Sequence, residues 1–199
     1  VTLTFYYDVG SPNAYLAWKA LSATPDVTLD LIPVLIGGLF KTANNQPPWQ
    51  AFSGVPTKMA YMMVEIQRFA RDYNLTAFKM NPHFPVNTLL AMRVATAAVA
   101  EGEHDKVAPL LFTAMWEDGL NLSDPDVMTH YLTAQGLDGA ALVAQASDPI
   151  TKQALAAATQ ACSDRGVFGL PTWFTPEDEM YFGKDCVWMM HPEKGRVLP

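Results

Sequence analysis

Cysteine is scarce in this sequence, with Cys162 and Cys186 the two in 199 residues. They stand too far apart for a redox dipeptide motif and are too few for a disulfide framework or a zinc site, so a reduced, cytoplasmic setting is expected. Charge is also sparse, at 17% of residues, which with 50% apolar content excludes a disordered chain and leaves ample material for a core. The net charge of −7 works against nucleic acid or an anionic membrane as partner. Long apolar runs are missing too: the longest, Leu31 to Phe40, is broken by Pro33, Gly37 and Gly38 and is too short to span a bilayer. The chain opens directly on a strand pattern, so no secretory leader is expected. No Ser-His-Asp ordering suggests acyl transfer. Asp124 and Asp126 lack further ligands at a supporting spacing, so no metal site is expected.

What is there begins with a βαβ pattern over residues 2–8, 11–22 and 27–34, read as a parallel strand pair joined by a right-handed crossover. Gly37-Gly38 and the polar stretch 42–48 predict a loop. From about Pro56 to Arg165 the periodicity is helical, opening with Met59, Met62, Met63, Ile66, Phe69 and Tyr73 at three- and four-residue steps, a stripe that reads as core. Further helices are predicted over 86–101, 104–117, 124–134, 139–146 and 149–165. Capping side chains before Pro125 and Pro149 open two of them. Gly166 to Thr175 then reads as a helix stop, a tight turn, a Leu-Pro junction and a strand, with Glu179 to Asp185 as partner strand and turn. A strand-helix-strand unit at one end and a hairpin at the other imply one sheet, with the middle as an insertion.

The first strand ends at Asp8, and Gly10-Ser11-Pro12 places a capping hydroxyl directly before a first-turn proline. Unpaired N–H groups and the positive end of the helix dipole converge there and favour an anion such as a thiolate. The chain has no thiol at this place, so such an anion comes from a ligand. A free thiol has a pKa near ~8.5, and lowering it by about two units takes roughly 2.7 kcal/mol. A charge-assisted bond from a hydroxyl contributes about 1.5–3 kcal/mol and a helix N-terminus about 0.3–2, so the two together suffice. The bland alternative is that Ser11 only caps its helix.

Three stretches carry a family resemblance: Asp-x-x-Ser-Pro-x-x-Tyr-Leu from Asp8 to Leu16, Val-Phe-Gly-Leu-Pro-Thr from Val167 to Thr172, and Phe-Gly-x-Asp from Phe182 to Asp185. In that order and spacing they resemble the thioredoxin-fold group of kappa-class glutathione transferases and 2-hydroxychromene-2-carboxylate isomerases. Related disulfide oxidoreductases carry Cys-x-x-Cys where this chain reads Ser11-Pro12-Asn13-Ala14. The resemblance implies an α/β, thioredoxin-like fold interrupted by a large all-helical insertion. Residues 1–40 and 166–199 would form the thioredoxin-like domain and 41–165 the insertion, whose last helix packs back on the sheet. Members are often homodimers, but no stretch of this sequence identifies an interface.

The resemblance also implies glutathione as the cofactor and a set of contacts to it. Ser11 would donate to the sulfur, and Leu170, through a cis bond to Pro171, would pair with the cysteinyl backbone. Asn45 and Lys58 would hold the glycyl end, and Asp185 would receive the γ-glutamyl ammonium. Lys184 stands where related sequences tend to carry Ser or Asn, which leaves the γ-glutamyl carboxylate to a hydroxyl, a backbone N–H or the Lys184 ammonium. The segment Phe84-Pro85-Val86-Asn87-Thr88 resembles the isomerases more than the kappa class. It implies interconversion of 2-hydroxychromene-2-carboxylate and trans-o-hydroxybenzylidenepyruvate, a step of aromatic hydrocarbon degradation, by transient thiolate addition and bond rotation. Asn87 and Arg93 would anchor the substrate carboxylate, or else cap a helix and face solvent. His83 would shuttle protons, or else be an exposed loop residue. His104, His130 and His191 have no supporting context. The alternatives are a kappa-like transferase or peroxidase acting on hydrophobic electrophiles and a noncatalytic thioredoxin-fold interaction module.

Overall fold

The structure, a computed structural model, describes residues 1–190; positions 191–199 of the expected C-terminal segment, His191 among them, lie outside the described residues. Strand β1 (Thr2–Tyr7) pairs in parallel with β2 (Thr28–Pro33) through helix α1 (Pro12–Ser22), as the βαβ pattern requires. β3 (Thr172–Phe174) lies antiparallel on the other side of β1, and β4 (Met180–Phe182) antiparallel to β3, giving the order β2-β1-β3-β4. This is the mixed, thioredoxin-like sheet that the two ends of the sequence imply.

Alternation along β1 divides the core. Leu3, Phe5 and Tyr7 enter a large apolar cluster with α1 and the helices of the middle segment, whereas Tyr6 joins a smaller cluster with Val34, Leu39, Cys162, Leu170 and Phe174. Phe5 and Trp173, register partners on β1 and β3, stack with centroids 6.1 Å apart. Each such ring, fully buried, contributes on the order of 1.5–3 kcal/mol. The large cluster also holds Trp18, Met92, Phe112 and Trp116, so sheet and inserted helices share one core.

The middle of the chain forms α2 (Ile36–Thr42), α3 (Pro48–Ala51), α4 (Pro56–Asp72), α5 (Leu89–Ala100), α6 (His104–Trp116), α7 (Pro125–Ala134), α8 (Gly139–Gln145) and α9 (Pro149–Asp164). α9 packs against α2 and β2. A 3-10 helix over Lys184–Met190 follows β4. No helix among the described residues is long and apolar enough to cross a membrane.

Two expectations are corrected. Gly37-Gly38 does not end regular structure: both glycines lie inside α2, whose Leu39 and Phe40 are buried. A Cβ on Gly38 would meet Cγ2 of Thr159 at 3.2 Å, so the missing side chain lets α2 close on α9, a tertiary gain that offsets the helix penalty of about 1 kcal/mol per glycine. The methionine stripe of α4 is core only in its second half. Ile66 and Phe69 are buried, but Met63 is 38% exposed beside Tyr61 and Val64, because α4 buries against α1 only near its C-terminal end.

Where sheet meets insertion, the Tyr7 hydroxyl and Nε2 of His104 are hydrogen-bonded at 3.0 Å, both buried. Burial lowers the His104 pKa, against smaller opposing effects of Asp105 and Asp30. A folded value below the unfolded one means full stability above about pH 6.5 and loss as pH falls from there toward the lowered value. Urea unfolding at pH 7.5 should show His104→Gln less stable than the native chain by about 1 kcal/mol, with the gap narrowing at pH 5.5. A gap that widens on acidification contradicts this assignment.

Candidate active site

The turn between β1 and α1 is built around a buried charge. Asp8 is fully buried, and its carboxylate accepts from the Gly10 N–H at 2.8 Å, the Ile36 N–H at 2.8 Å and the Thr88 hydroxyl at 3.0 Å. One side chain therefore ties the turn to the first residue of α2 and to the N-cap of α5. Burial raises the Asp8 pKa, and the three hydrogen bonds pull it back only in part. Gly10 is required by closeness: a Cβ there would lie 2.7 Å from Cγ2 of Thr88. The Val9 carbonyl accepts from Nε1 of Trp116 at 2.7 Å, and the Val9 N–H points at the Met92 sulfur at 3.4 Å.

Ser11 follows in this fixed turn. It caps α1 as the sequence predicts, its oxygen accepting from the Ala14 N–H at 3.2 Å, with Pro12 in the first turn and no acidic residue there to oppose an anion. The hydroxyl donates to the Leu170 carbonyl at 3.1 Å. The Leu170-Pro171 bond is cis, as expected, and so is Phe84-Pro85. The Pro171 carbonyl accepts from the Gly183 N–H at 2.9 Å, which sets Lys184 and Asp185 directly beyond the hairpin.

The structure gathers several predicted residues around this junction and leaves others outside it. Asn45 donates from Nδ2 to the Phe168 carbonyl at 2.9 Å and accepts the Gln46 N–H, bracing the loop that carries Leu170. Lys184 is 4% exposed, and its ammonium pairs with the exposed Asp185 carboxylate and lies 5.7 Å from the Phe69 ring centroid. Asp185 thus already faces one ammonium, through a single carboxylate oxygen. Lys58, exposed on α4, sits with Nζ 3.5 Å from the Phe52 ring centroid. His83 is exposed, its backbone N–H donating to Asn81 Oδ1. Asn87 accepts the Leu89 N–H at 3.0 Å and so opens α5. Arg93 is half-buried on α5, with no hydrogen bond or ion pair recorded among the described residues.

Asp8, Thr88 and Trp116 are not among the residues that the sequence motifs mark for the site. Asp8 had a legible signal, a lone acid closing an apolar strand against a glycine. The partners of Asp8 come from 28 and 80 residues away, a distance no local pattern encodes. An aromatic row also emerges: the Trp49 ring meets Phe84 edge-on at 5.3 Å, and Phe84 lies 6.0 Å from Trp116. This row ends at Val9, two residues from Ser11.

Both thiols are free, Cys162 buried and Cys186 partly exposed next to Asp185. Cys162 is buried, and burial pushes its pKa up to about 12, so it carries no thiolate near neutrality. Cys186 donates from Sγ to the Phe182 carbonyl. Among the described residues no cluster of three or more His, Cys, Asp or Glu side chains is set to hold a metal ion.

The family described as DSBA-like thioredoxin domain matches residues 2–192. Glutathione S-transferase kappa 1 of Rattus norvegicus is 29% identical over 92% of this chain and 86% of its own. A 2-hydroxychromene-2-carboxylate isomerase of Pseudomonas putida is 25% identical over 97% of this chain and 94% of its own. The solved structure of a 2-hydroxychromene-2-carboxylate isomerase superposes with a TM-score of 0.80 at 24% identity, covering 98% of this chain and 95% of that one, a likeness of fold.

Removing the Asp8 carboxylate leaves three donors without an acceptor, the Thr88 hydroxyl buried and the Gly10 and Ile36 N–H groups partly so. Asp8→Ala should therefore lower stability in urea unfolding by about 3 kcal/mol, and Thr88→Val, which removes one of them, by about 1. Near-native stability of Asp8→Ala would show that the turn is held by other means.

Proposed function

We propose that this chain, which belongs to the DSBA-like thioredoxin domain family, is a glutathione-dependent isomerase that interconverts 2-hydroxychromene-2-carboxylate and trans-o-hydroxybenzylidenepyruvate. One observation carries the reading. A buried hydroxyl caps α1 beside the carbonyl that precedes a cis proline, at a place where the chain has no sulfur of its own. The donor set fits a tripeptide thiol: a hydroxyl and helix N-terminus for sulfur, a backbone carbonyl for an amide, and an exposed carboxylate at Asp185 for an ammonium. When bound, glutathione supplies a thiolate that adds reversibly to a conjugated carbon and frees a double bond to rotate.

The protein's part is to bind, to orient and to hold charge. Ser11 and the α1 N-terminus stabilise negative charge on sulfur, while Leu170 and Pro171 orient the cysteinyl backbone. Asn45 and Lys58 take the glycyl end in this reading, and Asp185 with Lys184 takes the γ-glutamyl end. The Lys184 ammonium already takes one Asp185 carboxylate oxygen, so the ligand ammonium uses the second. For the aromatic substrate, Trp49 and Phe84, packed edge-on, offer apolar aromatic surface, and Arg93 offers a cation with no ion-pair partner among the described residues for a carboxylate. The reading includes a cytoplasmic setting and a homodimer, for which exposed Tyr61, Met63 and Val64 on α4 offer an apolar face.

A second reading is a kappa-like transferase or peroxidase acting on hydrophobic electrophiles, favoured by the higher identity to the rat kappa-class relative. Products separate the two. Calorimetric titration should show glutathione binding, and an assay with 2-hydroxychromene-2-carboxylate should return all the glutathione free. A stable conjugate or oxidised glutathione in its place supports the transferase or peroxidase, and no binding at all removes both.

Ser11→Ala removes a donor worth about 1.5–3 kcal/mol to an anion, so at neutral pH turnover should fall roughly ten- to hundredfold while the glutathione Kd changes by less than about fivefold. Steady-state kinetics beside calorimetry checks this. Unchanged turnover would take Ser11 out of the mechanism.

A further inference from the structure

The Ser11 hydroxyl has one proton, and in the structure that proton is engaged. The oxygen accepts from Ala14 and the hydroxyl donates to the Leu170 carbonyl, with Ser11 6% and Leu170 5% exposed. In this arrangement the hydroxyl presents only lone-pair density to an arriving sulfur, which a thiolate finds repulsive. Turning the proton toward sulfur would orphan the Leu170 carbonyl, and a buried acceptor left unpaired costs about as much as the new bond contributes. The donor must therefore be replaced at Leu170 before Ser11 can serve a thiolate.

On the glutathione reading above, we infer that the replacement is the ligand's own cysteinyl amide N–H, so that backbone pairing at Leu170 switches on ionisation of the thiol. The amide takes the carbonyl, the Ser11 hydroxyl rotates to the sulfur, and the thiol proton passes to solvent. Ser11 keeps its own proton throughout, and no bond to carbon changes. The Leu170 carbonyl then determines specificity: it reserves activation for thiols that carry an N–H donor where it can reach this carbonyl, as in cysteinyl peptides. A simple mercaptan, which has no N–H, leaves Ser11 turned away.

The test is an ultraviolet titration of thiolate absorbance on the full chain, saturated first with glutathione and then with its depsipeptide analogue. In that analogue an ester oxygen stands for the N–H between the γ-glutamyl and cysteinyl residues. Bound glutathione should ionise about two pH units below the free thiol, and the bound ester within about half a unit of its own free value, with Ser11→Ala erasing the difference. Equal depression in both ligands overturns the inference and leaves the glutathione reading standing. An ester that does not bind also overturns it, because on this inference Ser11 keeps the Leu170 carbonyl paired and the ester stays bound. Failure of glutathione itself to bind removes the reading and the inference with it.

Discussion

The buried carboxylate of Asp8 is the constraint on which the site depends. It gathers donors from its own turn, from the start of α2 and from the cap of α5, so three stretches distant in sequence meet at one side chain. A charge placed there is costly unless every partner is present, and the carboxylate therefore makes the geometry close to all-or-none. Trp116 and Met92 add bonds to Val9, and Tyr15 reaches Glu117, which also pairs with Lys19. Sheet, first helix and inserted helices are thereby fixed to one another around the residues before Ser11.

Rigidity at that point has a chemical consequence. A hydroxyl that contributes to anion stabilisation is effective only when held where the charge develops, with no reorganisation left to perform. The Asp8 turn places Ser11 on the α1 N-terminus and against Leu170, and the hairpin contact between Pro171 and Gly183 adds Asp185 to the same neighbourhood. Cys162 is sealed in the smaller core cluster, and residues 11–14 at the start of α1 carry no cysteine.

Much of this was legible in the sequence, for identifiable reasons. The βαβ start, the late hairpin and the helices over the second half of the chain follow from short-range periodicity and from Pro and Gly signals, and each lies within a few residues of its predicted bounds. α2 was not legible because its glycines are explained by a neighbour, Thr159, far along the chain. The first half of α4 misled for the converse reason: apolar spacing gives a helix a face, but only packing decides whether that face is covered. At the site, Ser11 and the Leu170-Pro171 junction could be read from local motifs. The Asp8 network could not, since two of its three donors come from other elements. Asn87 shows the remaining ambiguity, for a residue that a motif assigns to substrate spends its side chain on the first turn of α5.

The central claim is that α1 begins at a cradle for a ligand's sulfur. A crystal structure of the chain with glutathione, with the sulfur located by its anomalous signal, tests it most directly. The account predicts sulfur within hydrogen-bond reach of the Ser11 hydroxyl, at the open end of α1. Sulfur located away from that hydroxyl, with the tripeptide bound elsewhere or reversed, would contradict it.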